Sequence, residues 1–352
     1  TKQKLPAESI NYMTKNKLKF LIIGLGSMGK RRIRNLHFHN QYQIIGYDTR
    51  ADRRREAAKM YGIKIIDDLK KISKKDFDAM IISAPPDSHG NYIRIALINK
   101  KHFFVEHPTS DDGYKEIFKD KNSRLVKAPS CTLRFYRPIN MIKDILGKGK
   151  IGKVLAFQYH MALYLQDWHT YEDYRKVYFS KKDTGACREM FPFELIWLNW
   201  LMQSKIAEVS GYIGKLSNLD MDADDIILAN LKYGNGVLGN VMIDVISRKP
   251  FRTLRILGSE GVLEWEKFNS VIKLYDAKSK ITKIIKVPKG HIEKGYEITG
   301  NSEEMYNDEL GSFLRAIDGQ GKYPHTFTDN LGLLKTLYAL EKSNKTGMTV
   351  FL

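Results

Sequence analysis

A glycine-rich turn directly after a short apolar run constrains the fold of this chain more than any other feature. The turn has the spacing G-x-G-x-x-G, formed by Gly24, Gly26 and Gly29. A helix-like stretch, residues 27–38, follows the turn, and a second apolar run ends at Asp48. This order of strand, turn, helix, strand and acid is typical of a dinucleotide-binding unit.

Each part of this unit has a mechanical task toward a bound dinucleotide. Gly24 permits the tight turn, Gly26 lets the backbone approach a pyrophosphate, and Gly29 lets the helix pack closely on the strand. The first helical turn, with Ser27 and Met28, offers N–H donors and the positive end of the helix dipole to phosphate. We therefore expect these five residues to contact the cofactor.

Asp48 indicates which dinucleotide binds. Its carboxylate can accept hydrogen bonds from ribose hydroxyls and repels the 2′-phosphate of NADP, so the sequence predicts NAD rather than NADP. Arg50, two residues later, is also expected at this site, where it partly offsets the repulsion. The run Arg53, Arg54 and Arg55 is interpreted as a solvated helix face.

The net charge of +18 raises the question of a nucleic-acid partner. A nucleic-acid-binding face usually forms a basic patch or stripe, whereas the lysines here are spread over the whole chain. We therefore expect a small anionic ligand and no nucleic acid.

Other features narrow the class of protein. The two cysteines, Cys131 and Cys187, predict neither a disulfide framework nor a metal site, which fits a reducing cytoplasm. No apolar run is long enough to span a bilayer, and the polar first stretch does not resemble a signal peptide. Residues 1–16 are expected to be an N-terminal extension, with Met13 as a candidate start.

A length of 352 residues suggests two domains. In residues 17–130, short apolar strands alternate with helices, which predicts an α/β Rossmann domain with a parallel sheet. In residues 131–352, longer strand-like runs and two hairpin-like turns predict an α+β domain with a large, mostly antiparallel open sheet. Helices are predicted there at residues 139–146, 186–202, 303–317 and 330–342.

Two segments fall at the carboxyl ends of predicted parallel strands, where ligands of such sheets bind. They are Pro85-Pro86 and Glu106-His107-Pro108. We expect both segments to border the nicotinamide.

The glycine turn is followed in order by further segments of distinctive composition. They are residues 82–89 (ISAPPDSH), 105–108 (VEHP), 133–138 (LRFYRP), 149–154 (GKIGKV) and 183–186 (DTGA). Together they resemble the glucose–fructose oxidoreductase/inositol dehydrogenase (Gfo/Idh/MocA) family, from about residue 18 to residue 352. The resemblance implies a Rossmann domain, an open-sheet domain and homodimers or homotetramers packed through those sheets.

The resemblance also implies an activity and further site residues. Family members typically oxidise or reduce a secondary alcohol of a sugar, cyclitol or nucleotide sugar. The cofactor contacts that the resemblance adds are Ala84, Pro85, His89, Glu106 and His107.

Residues 166–175 (QDWHTYEDYR) are similar to a segment of family members linked to surface-polysaccharide and nonulosonic-acid pathways. Aromatic rings offer faces to a sugar, and an arginine can clamp a carboxylate or phosphate. The alternative interpretation is that Tyr171 and Tyr174 only pack a helix. The predicted substrate-binding residues are Arg134, Trp168, His169, Tyr171, Tyr174, Arg175 and Arg188.

The predicted catalytic residues, His107 and Glu189, depart from the family pattern. His107 stands where the family carries a lysine, and a histidine can still move a proton. The family's acid and a histidine four residues later align with Glu189 and Phe193, and a phenylalanine cannot transfer a proton. Pro192 is expected to disturb the helix at this point.

Three explanations of these departures remain open. In the first, His107 acts as acid and base, with Glu189 orienting it or the substrate, in an NAD-dependent sugar oxidoreductase of surface-glycan biosynthesis. In the second, the protein is a lyase or glycosidase that oxidises its sugar and then reduces it again. The third is a catalytically weakened protein that binds sugar and NAD.

Overall fold

A computed structural model of the protein describes Tyr12 and residues 17–120, 123–168, 172–293 and 300–352. The described chain divides into two compact units. The first comprises residues up to Thr132 together with Tyr306–Leu331, and the second comprises Leu133–Met305 and Gly332–Leu352. The chain thus returns to its first unit late in the sequence, which differs from a single division between residues 130 and 131.

The first unit contains a parallel sheet, as the alternating pattern predicted. Its described strands are β1 Lys19–Ile23, β2 Gln43–Tyr47, β3 Lys64–Ile66, β4 Ala79–Ile82, β5 His102–Val105 and β6 Lys127–Pro129. The helices along this stretch are α1 Ser27–Phe38, α2 Ala51–Tyr61, α3 His89–Ile98 and α4 Tyr114–Lys119. Strand β4 is wholly buried and β1 nearly so, which explains why both read as continuous apolar runs.

The strand order β3-β2-β1-β4-β5-β6 reverses direction between β1 and β4. In doubly wound sheets the ligand binds beyond the carboxyl ends of the strands at such a reversal. The glycine turn follows β1, Ser83 follows β4, and Glu106 follows β5. The topology therefore brings the predicted cofactor segments to one edge of the sheet.

The second unit contains a sheet with nine described strands in the order β14-β13-β12-β11-β7-β10-β9-β8-β15. Its strands are β7 Val154–Tyr164, β8 Ile206–Gly214, β9 Ile226–Tyr233, β10 Leu238–Asp244, β11 Ile246–Gly258, β12 Gly261–Glu266, β13 Val271–Asp276, β14 Ile281–Lys286 and β15 Val350–Phe351. Among the pairings between described residues, β10 with β7 is parallel and the others are antiparallel. The predicted mostly antiparallel sheet is confirmed.

The helices of the later chain are α5 Arg137–Gly147, α6 Leu165–Trp168, α7 Ala186–Met202, α8 Glu303–Ile317 and α9 Phe327–Thr346. Helix α7 continues through Pro192, so the expectation that this proline disturbs the helix is wrong. Most of α7 is buried, and packing of that length of helix outweighs the loss of one backbone hydrogen bond.

One face of the second sheet is exposed and partly apolar. The strand register places Leu228, Leu238 and Leu257 on this face, where they are 37%, 54% and 40% exposed. Asn240 lies between them and donates to the Asn230 side chain at 2.9 Å. Exposed leucines grouped on one sheet face are a feature of interaction surfaces.

Three further observations bear on the class of protein. Within the described ranges, no helix combines the length and apolar composition of a membrane span. In the same residues, no group of three or more His, Cys, Asp or Glu side chains is arranged to hold a metal ion. Cys131 and Cys187 are buried free thiols.

Tyr12 lies within the expected N-terminal extension, yet it makes specific contacts in the first unit. Its N–H donates to His39 Nδ1 and its hydroxyl to Asp318 Oδ2, each at 2.9 Å. Burial, followed by the bond to Asp318, raises the pKa of Tyr12 to about 12. This residue therefore belongs to the folded unit.

Candidate functional site

The first unit forms a tight turn at Gly24. The φ angle of Gly24 is +85°, a left-handed conformation that favours glycine. Its N–H donates to Tyr47 O at 2.8 Å, and a Cβ added there would lie 2.5 Å from Ser83 O. A side chain at this position would therefore push the turn away from the end of β4.

Gly29 brings helix α1 against the same turn. A Cβ on Gly29 would lie 1.8 Å from Gly24 O, a distance that no side chain tolerates. Gly26 is different, because its Cβ would meet only the Arg53 guanidinium, at 3.2 Å. Gly26, Ser27 and Met28 are partly exposed, and the first turn of α1 carries no acidic residue that would repel a phosphate.

The arginine run after Asp48 is not the solvated face that the sequence indicated. Only Arg55 of the three is exposed. Arg53 lies beside Gly26, and Arg54 donates to the backbone oxygens of Asp48 and Thr49 at 2.7 and 3.0 Å. Helix α2 turns these two side chains back toward the glycine turn, where they place positive charge.

Asp48 is 5% exposed, and its carboxylate links the glycine turn to the end of β2 through hydrogen bonds. Its Oδ2 accepts from Leu25 N–H at 2.7 Å, and its Oδ1 accepts from Arg50 N–H at 2.8 Å. The Arg50 side chain turns away to Asp52, to which its Nε donates at 3.2 Å. The guanidinium of Arg50 is therefore already engaged by a neighbouring carboxylate.

The segment after β4 is closed by a hydrogen bond from a buried histidine. His89 Nε2 pairs with Ala84 O at 2.8 Å across the turn that contains Pro85. Burial lowers the pKa of His89 to about 4, so the ring is neutral at ordinary pH. His89 thus shapes the loop as a neutral side chain.

Glu106 follows β5 and is held by a buried arginine. Arg32 Nε and Nη2 donate to the two Glu106 oxygens at 2.7 and 3.0 Å, and Ser83 Oγ donates to Oε1 at 3.3 Å. Burial lowers the pKa of Arg32, but the carboxylates of Glu106 and Glu309 outweigh it and raise the value above its usual range.

His107 lies next in the chain and is 5% exposed. Burial, followed by the electrostatic influence of the His325 and His89 rings, lowers the pKa of His107 to about 3. His325 Nε2 lies 3.3 Å from Asn330 Oδ1, and the Asn330 amide donates to Tyr114 OH at 2.7 Å. The buried ring of His107 is therefore a weaker base than an unperturbed histidine.

These residues of the first unit fit a dinucleotide. The glycine positions that a Cβ would fill lie directly after β1, and the Asp48 carboxylate ends β2 on one side of them. Ala84 and Glu106 lie on the other side, after β4 and β5. A dinucleotide needs this sequence of sites for ribose, pyrophosphate and nicotinamide across a reversal of strand order.

In the second unit, Glu189 lies near an aromatic cluster. Tyr178 OH donates to Glu189 Oε1 at 3.1 Å. The Tyr178 ring lies 4.1 Å from that of Phe179, which stacks on Trp168 at 4.3 Å between centroids. Helix α7 begins directly after Gly185. A Cβ at this position would lie 2.3 Å from Ala223 Cβ, so only glycine fits there. The structure thus joins two predicted residues, Trp168 and Glu189, through two that were not predicted.

The predicted substrate arginines each have a partner within the second unit. Arg175 donates through Nε and Nη2 to Asp173 at 2.8 and 2.9 Å, and Arg188 Nε donates to Glu341 at 2.8 Å. The Arg134 guanidinium lies 4.9 Å from the centre of the Trp200 ring. An anionic ligand would have to share these cations with the residues that now hold them.

Tyr174 begins a short 3-10 turn, Tyr174–Lys176, and its hydroxyl accepts from Asp220 N–H at 3.1 Å. The helix-packing interpretation of this tyrosine therefore does not hold. His169 and Tyr171 lie outside the described residues.

Several residues of interest were missed by sequence reasoning. They are Arg32 on α1, and Glu309 and His325, which reach the contacts with Arg32 and His107 only because the chain returns to the first unit. Tyr178 follows a predicted segment closely, but no motif signals it. A local signal exists only for Arg32, an arginine one turn after Gly29 on the same helix.

Comparison with known proteins identifies both halves of the chain. Residues 18–122 match the family model GFO_IDH_MocA, described as an oxidoreductase family with an NAD-binding Rossmann fold, and residues 139–264 match the GFO/IDH/MocA C-terminal domain. Inositol 2-dehydrogenase of Salmonella paratyphi B is 26% identical over 239 residues, which cover 65% of this chain and 67% of that protein.

Levoglucosan dehydrogenase of Pseudarthrobacter phenanthrenivorans is 24% identical over 245 residues, which cover 58% of this chain and 60% of that protein. The crystal structure of an oxidoreductase from Agrobacterium radiobacter in complex with NAD+, L-tartaric acid and magnesium superposes with a TM-score of 0.84 at 16% identity, covering 96% of this chain and 98% of that chain. The fold is therefore shared by both chains along nearly their whole length.

Proposed function

Since the chain belongs to the Gfo/Idh/MocA family of oxidoreductases and binds NAD through its first unit, we propose that it oxidises or reduces a secondary alcohol of a sugar or nucleotide sugar. The observation that carries the proposal is the glycine turn with Asp48 at the reversal of the sheet, combined with an aromatic cluster beside Glu189. Its relatives by name include dehydrogenases of inositol and of levoglucosan.

Different residues of the first unit would contact different parts of the cofactor. Gly24, Gly26, Ser27, Met28 and Gly29 would hold the pyrophosphate at the start of α1. Asp48 would accept from the adenosine ribose and disfavour a 2′-phosphate, because Arg50 is already engaged by Asp52. The bound nicotinamide supplies hydride exchange, and Ala84, Pro85, His89, Glu106 and His107 would border it.

The substrate would bind in the second unit. Trp168 stacks on Phe179, and an aromatic surface of this kind suits the apolar face of a sugar ring. Tyr174, Arg134, Arg175 and Arg188 would contribute polar and cationic groups, with His169 and Tyr171 as further candidates. Such a set suits a sugar with phosphate or carboxylate groups, which supports a role in surface-glycan biosynthesis.

Proton transfer is assigned to His107 and Glu189. A secondary alcohol must release its hydroxyl proton as hydride leaves, and we assign its acceptance to His107, which the resemblance places where the family carries a lysine. With its pKa lowered to about 3, His107 is a neutral but weak base. Glu189 supplies a carboxylate that Tyr178 orients.

The weak basicity of His107 and the presence of Phe193 favour a second candidate. In this candidate, the protein binds NAD and sugar, but either reverses the oxidation within one catalytic cycle or turns over very slowly. A lyase or glycosidase with transient oxidation belongs to this class, as does a sugar-binding member with weakened catalysis.

One experiment separates these candidates. Purified protein is examined by absorbance for bound nicotinamide, and nucleotide sugars are then added with NAD+ while NADH formation is followed. Net NADH that is lost in both His107→Ala and Glu189→Gln supports the oxidoreductase. Sugar conversion without net NADH supports the lyase or glycosidase, and binding without conversion supports the weakened member. A protein that binds no dinucleotide would contradict all three.

The open face of the second sheet supports an oligomer. Because Leu228, Leu238 and Leu257 are exposed together on it, we propose that this face packs against a second copy in a homodimer or homotetramer. The proposed location is the cytoplasm, in keeping with two free thiols.

A further inference from the structure

The Arg32 guanidinium is buried between two carboxylates. It makes a two-point contact with Glu106, at 2.7 and 3.0 Å, and its Nη2 also donates to Glu309 Oε2 at 2.9 Å. The side chains of Arg32 and Glu309 are 0% exposed, whereas that of Glu106 is 16% exposed. Of the three, Glu106 alone reaches the surface, at the carboxyl end of β5.

We propose that Arg32 is a positioning residue for the cofactor, which it serves by fixing the Glu106 carboxylate toward the nicotinamide-side ribose. The inference rests on the proposed function, in which Glu106 borders that half of NAD. Each carboxylate oxygen has two lone pairs. Oε2 of Glu106 accepts a hydrogen bond from Arg32 Nη2 and can accept a second from a ribose hydroxyl.

The topology locates this contact on the nicotinamide half. Asp48 lies after β2, on one side of the glycine turn, and Glu106 lies after β5, on the other side. The adenosine and nicotinamide halves of a dinucleotide occupy opposite sides of such a reversal. A ligand that contains only the adenosine diphosphate half therefore does not reach Glu106.

Glu309 explains why Arg32 cannot turn away. The Glu309 carboxylate is completely buried and is fixed by several donors besides Arg32. They are Cys131 N–H at 2.6 Å, Thr132 Oγ1 at 2.7 Å, Ser130 Oγ at 3.1 Å and Tyr323 OH at 3.1 Å. Because a charged pair is stable in the interior only with good geometry and further hydrogen bonds, this anchor holds the guanidinium in one orientation.

Phe104 also restricts Arg32, since the guanidinium carbon lies 4.4 Å from the centre of that ring. Arginine can use a planar fork and stack on a ring at the same time, which lysine cannot do. A lysine at position 32 would keep the positive charge, but it could not hold the Glu106 carboxylate in the same orientation.

The test compares NAD+ with ADP in Arg32→Lys by calorimetry. The variant is expected to weaken NAD+ binding about tenfold, which corresponds to about 1.4 kcal/mol and to loss of one charge-assisted hydrogen bond. ADP binding should change by less than about twofold, because ADP lacks the nicotinamide ribose. Arg31→Lys is the matched control, since Arg31 is a buried arginine on the same helix, and it should leave the ratio of the two affinities unchanged.

A double-mutant cycle shows whether Arg32 acts through Glu106. Glu106→Gln should weaken NAD+ about as much as Arg32→Lys, and the double variant should be no weaker than either single variant. Additive losses, or an equal loss of NAD+ and ADP, would overturn the inference. If Arg32→Lys does not fold, Glu309→Gln gives the same comparison, and an unchanged affinity ratio there would count against the inference.

Ligand binding by the wild-type protein distinguishes failure of the proposed function from failure of the Arg32 inference alone. If it binds neither NAD+ nor ADP, the proposed function fails and the inference with it. If it binds both, and Arg32→Lys leaves the affinity ratio unchanged, only the inference fails.

Discussion

The Tyr178 hydroxyl donates a hydrogen bond to Glu189 Oε1 at 3.1 Å. On helix α7, Glu189 lies one turn before Phe193. Residues four apart share a face of a helix, so the carboxylate and the phenyl ring of Phe193 lie along the same side of α7. The carboxylate of Glu189 is oriented by a phenol from the 3-10 turn Tyr178–Ser180, and Phe193 adds an apolar ring one helical turn later. The carboxylate and the phenol that orients it can therefore be substituted separately.

Glu189→Gln should lower kcat by at least about 100-fold, the usual contribution of a general acid or base. NAD+ affinity should stay unchanged, because Glu189 belongs to the second unit. Tyr178→Phe keeps the carboxylate and should lower kcat by less than about tenfold. Steady-state kinetics and calorimetry measure both effects, with Tyr212→Phe, 74% exposed on β8, as the control. Full turnover in Glu189→Gln would place proton transfer on another residue.

Acid should destabilise the protein through its buried histidines. Since the pKa of His107 is lowered to about 3 and that of His89 to about 4, the unfolded chain binds more protons than the native protein below about pH 6.5. Stability is therefore complete above pH 6.5 and falls as the pH drops toward 4, by up to about 1.4 kcal/mol per pH unit for each histidine.

Urea unfolding at several pH values tests this dependence. His107→Asn should reduce the slope below pH 6.5 by about 1.4 kcal/mol per pH unit. An identical slope in wild type and His107→Asn would show that the native ring protonates normally.

Gly29→Ala should prevent stable folding or lower the free energy of unfolding by more than about 3 kcal/mol. The added Cβ would lie 1.8 Å from Gly24 O, so the helix and the turn would have to separate. Gly332→Ala is a matched control within α9, because nothing lies within 4 Å of its added Cβ. It should be neutral or stabilise by up to about 1 kcal/mol. Thermal and urea unfolding provide the measurement.

Asp48→Ser should lower the ratio of NAD+ to NADP+ affinity at least about tenfold, because it removes a carboxylate that disfavours a 2′-phosphate. The Arg53 guanidinium beside Gly26 remains to attract the phosphate. Asp67→Ser removes the same charge from an exposed site paired with Lys71 and should leave the ratio unchanged. Calorimetry with both cofactors decides the matter, and an unaltered ratio in Asp48→Ser would refute the assignment.

Leu238→Asp should shift the protein toward the monomer in light scattering, because a charge on the open face disfavours burial against a second copy. Ile98→Asp alters an equally large apolar side chain, 80% exposed at the end of α3, and serves as the control. An unchanged mass for Leu238→Asp would place any subunit contact elsewhere.

The sequence predicts the first unit well because its signals are local. Each buried parallel strand reads as a continuous apolar run, and Gly24 and Gly29 are required sterically within one turn. Strand β8 was missed, since Ile206–Gly214 mixes polar residues and two glycines and is half-buried along most of its length. Its pairing with β9 stabilises it, and local composition does not record that pairing.

The electrostatics of the site could not be predicted from spacing. Histidine next to a glutamate indicated a proton carrier, but Glu106 pairs with Arg32, and burial lowers the pKa of His107 to about 3. Arg32 and Glu309 are distant in sequence, and only tertiary folding reveals their contact. Likewise, the partner of Arg175 is two residues away, at Asp173, but the partners of Arg188 and Arg134 are the distant Glu341 and Trp200, which no motif shows.

The position of Glu309 in the chain has a consequence for biosynthesis. During translation, Arg32 leaves the ribosome long before Glu309 and Tyr323 are made, because the whole of residues 133–305 is synthesised in between. The nascent dinucleotide-binding unit therefore carries a buried cation with only part of its counter-charge, and a buried charge without full pairing is unfavourable. Domains generally fold in the order of their synthesis, but here the first unit reaches its final stability only after most of the second has emerged.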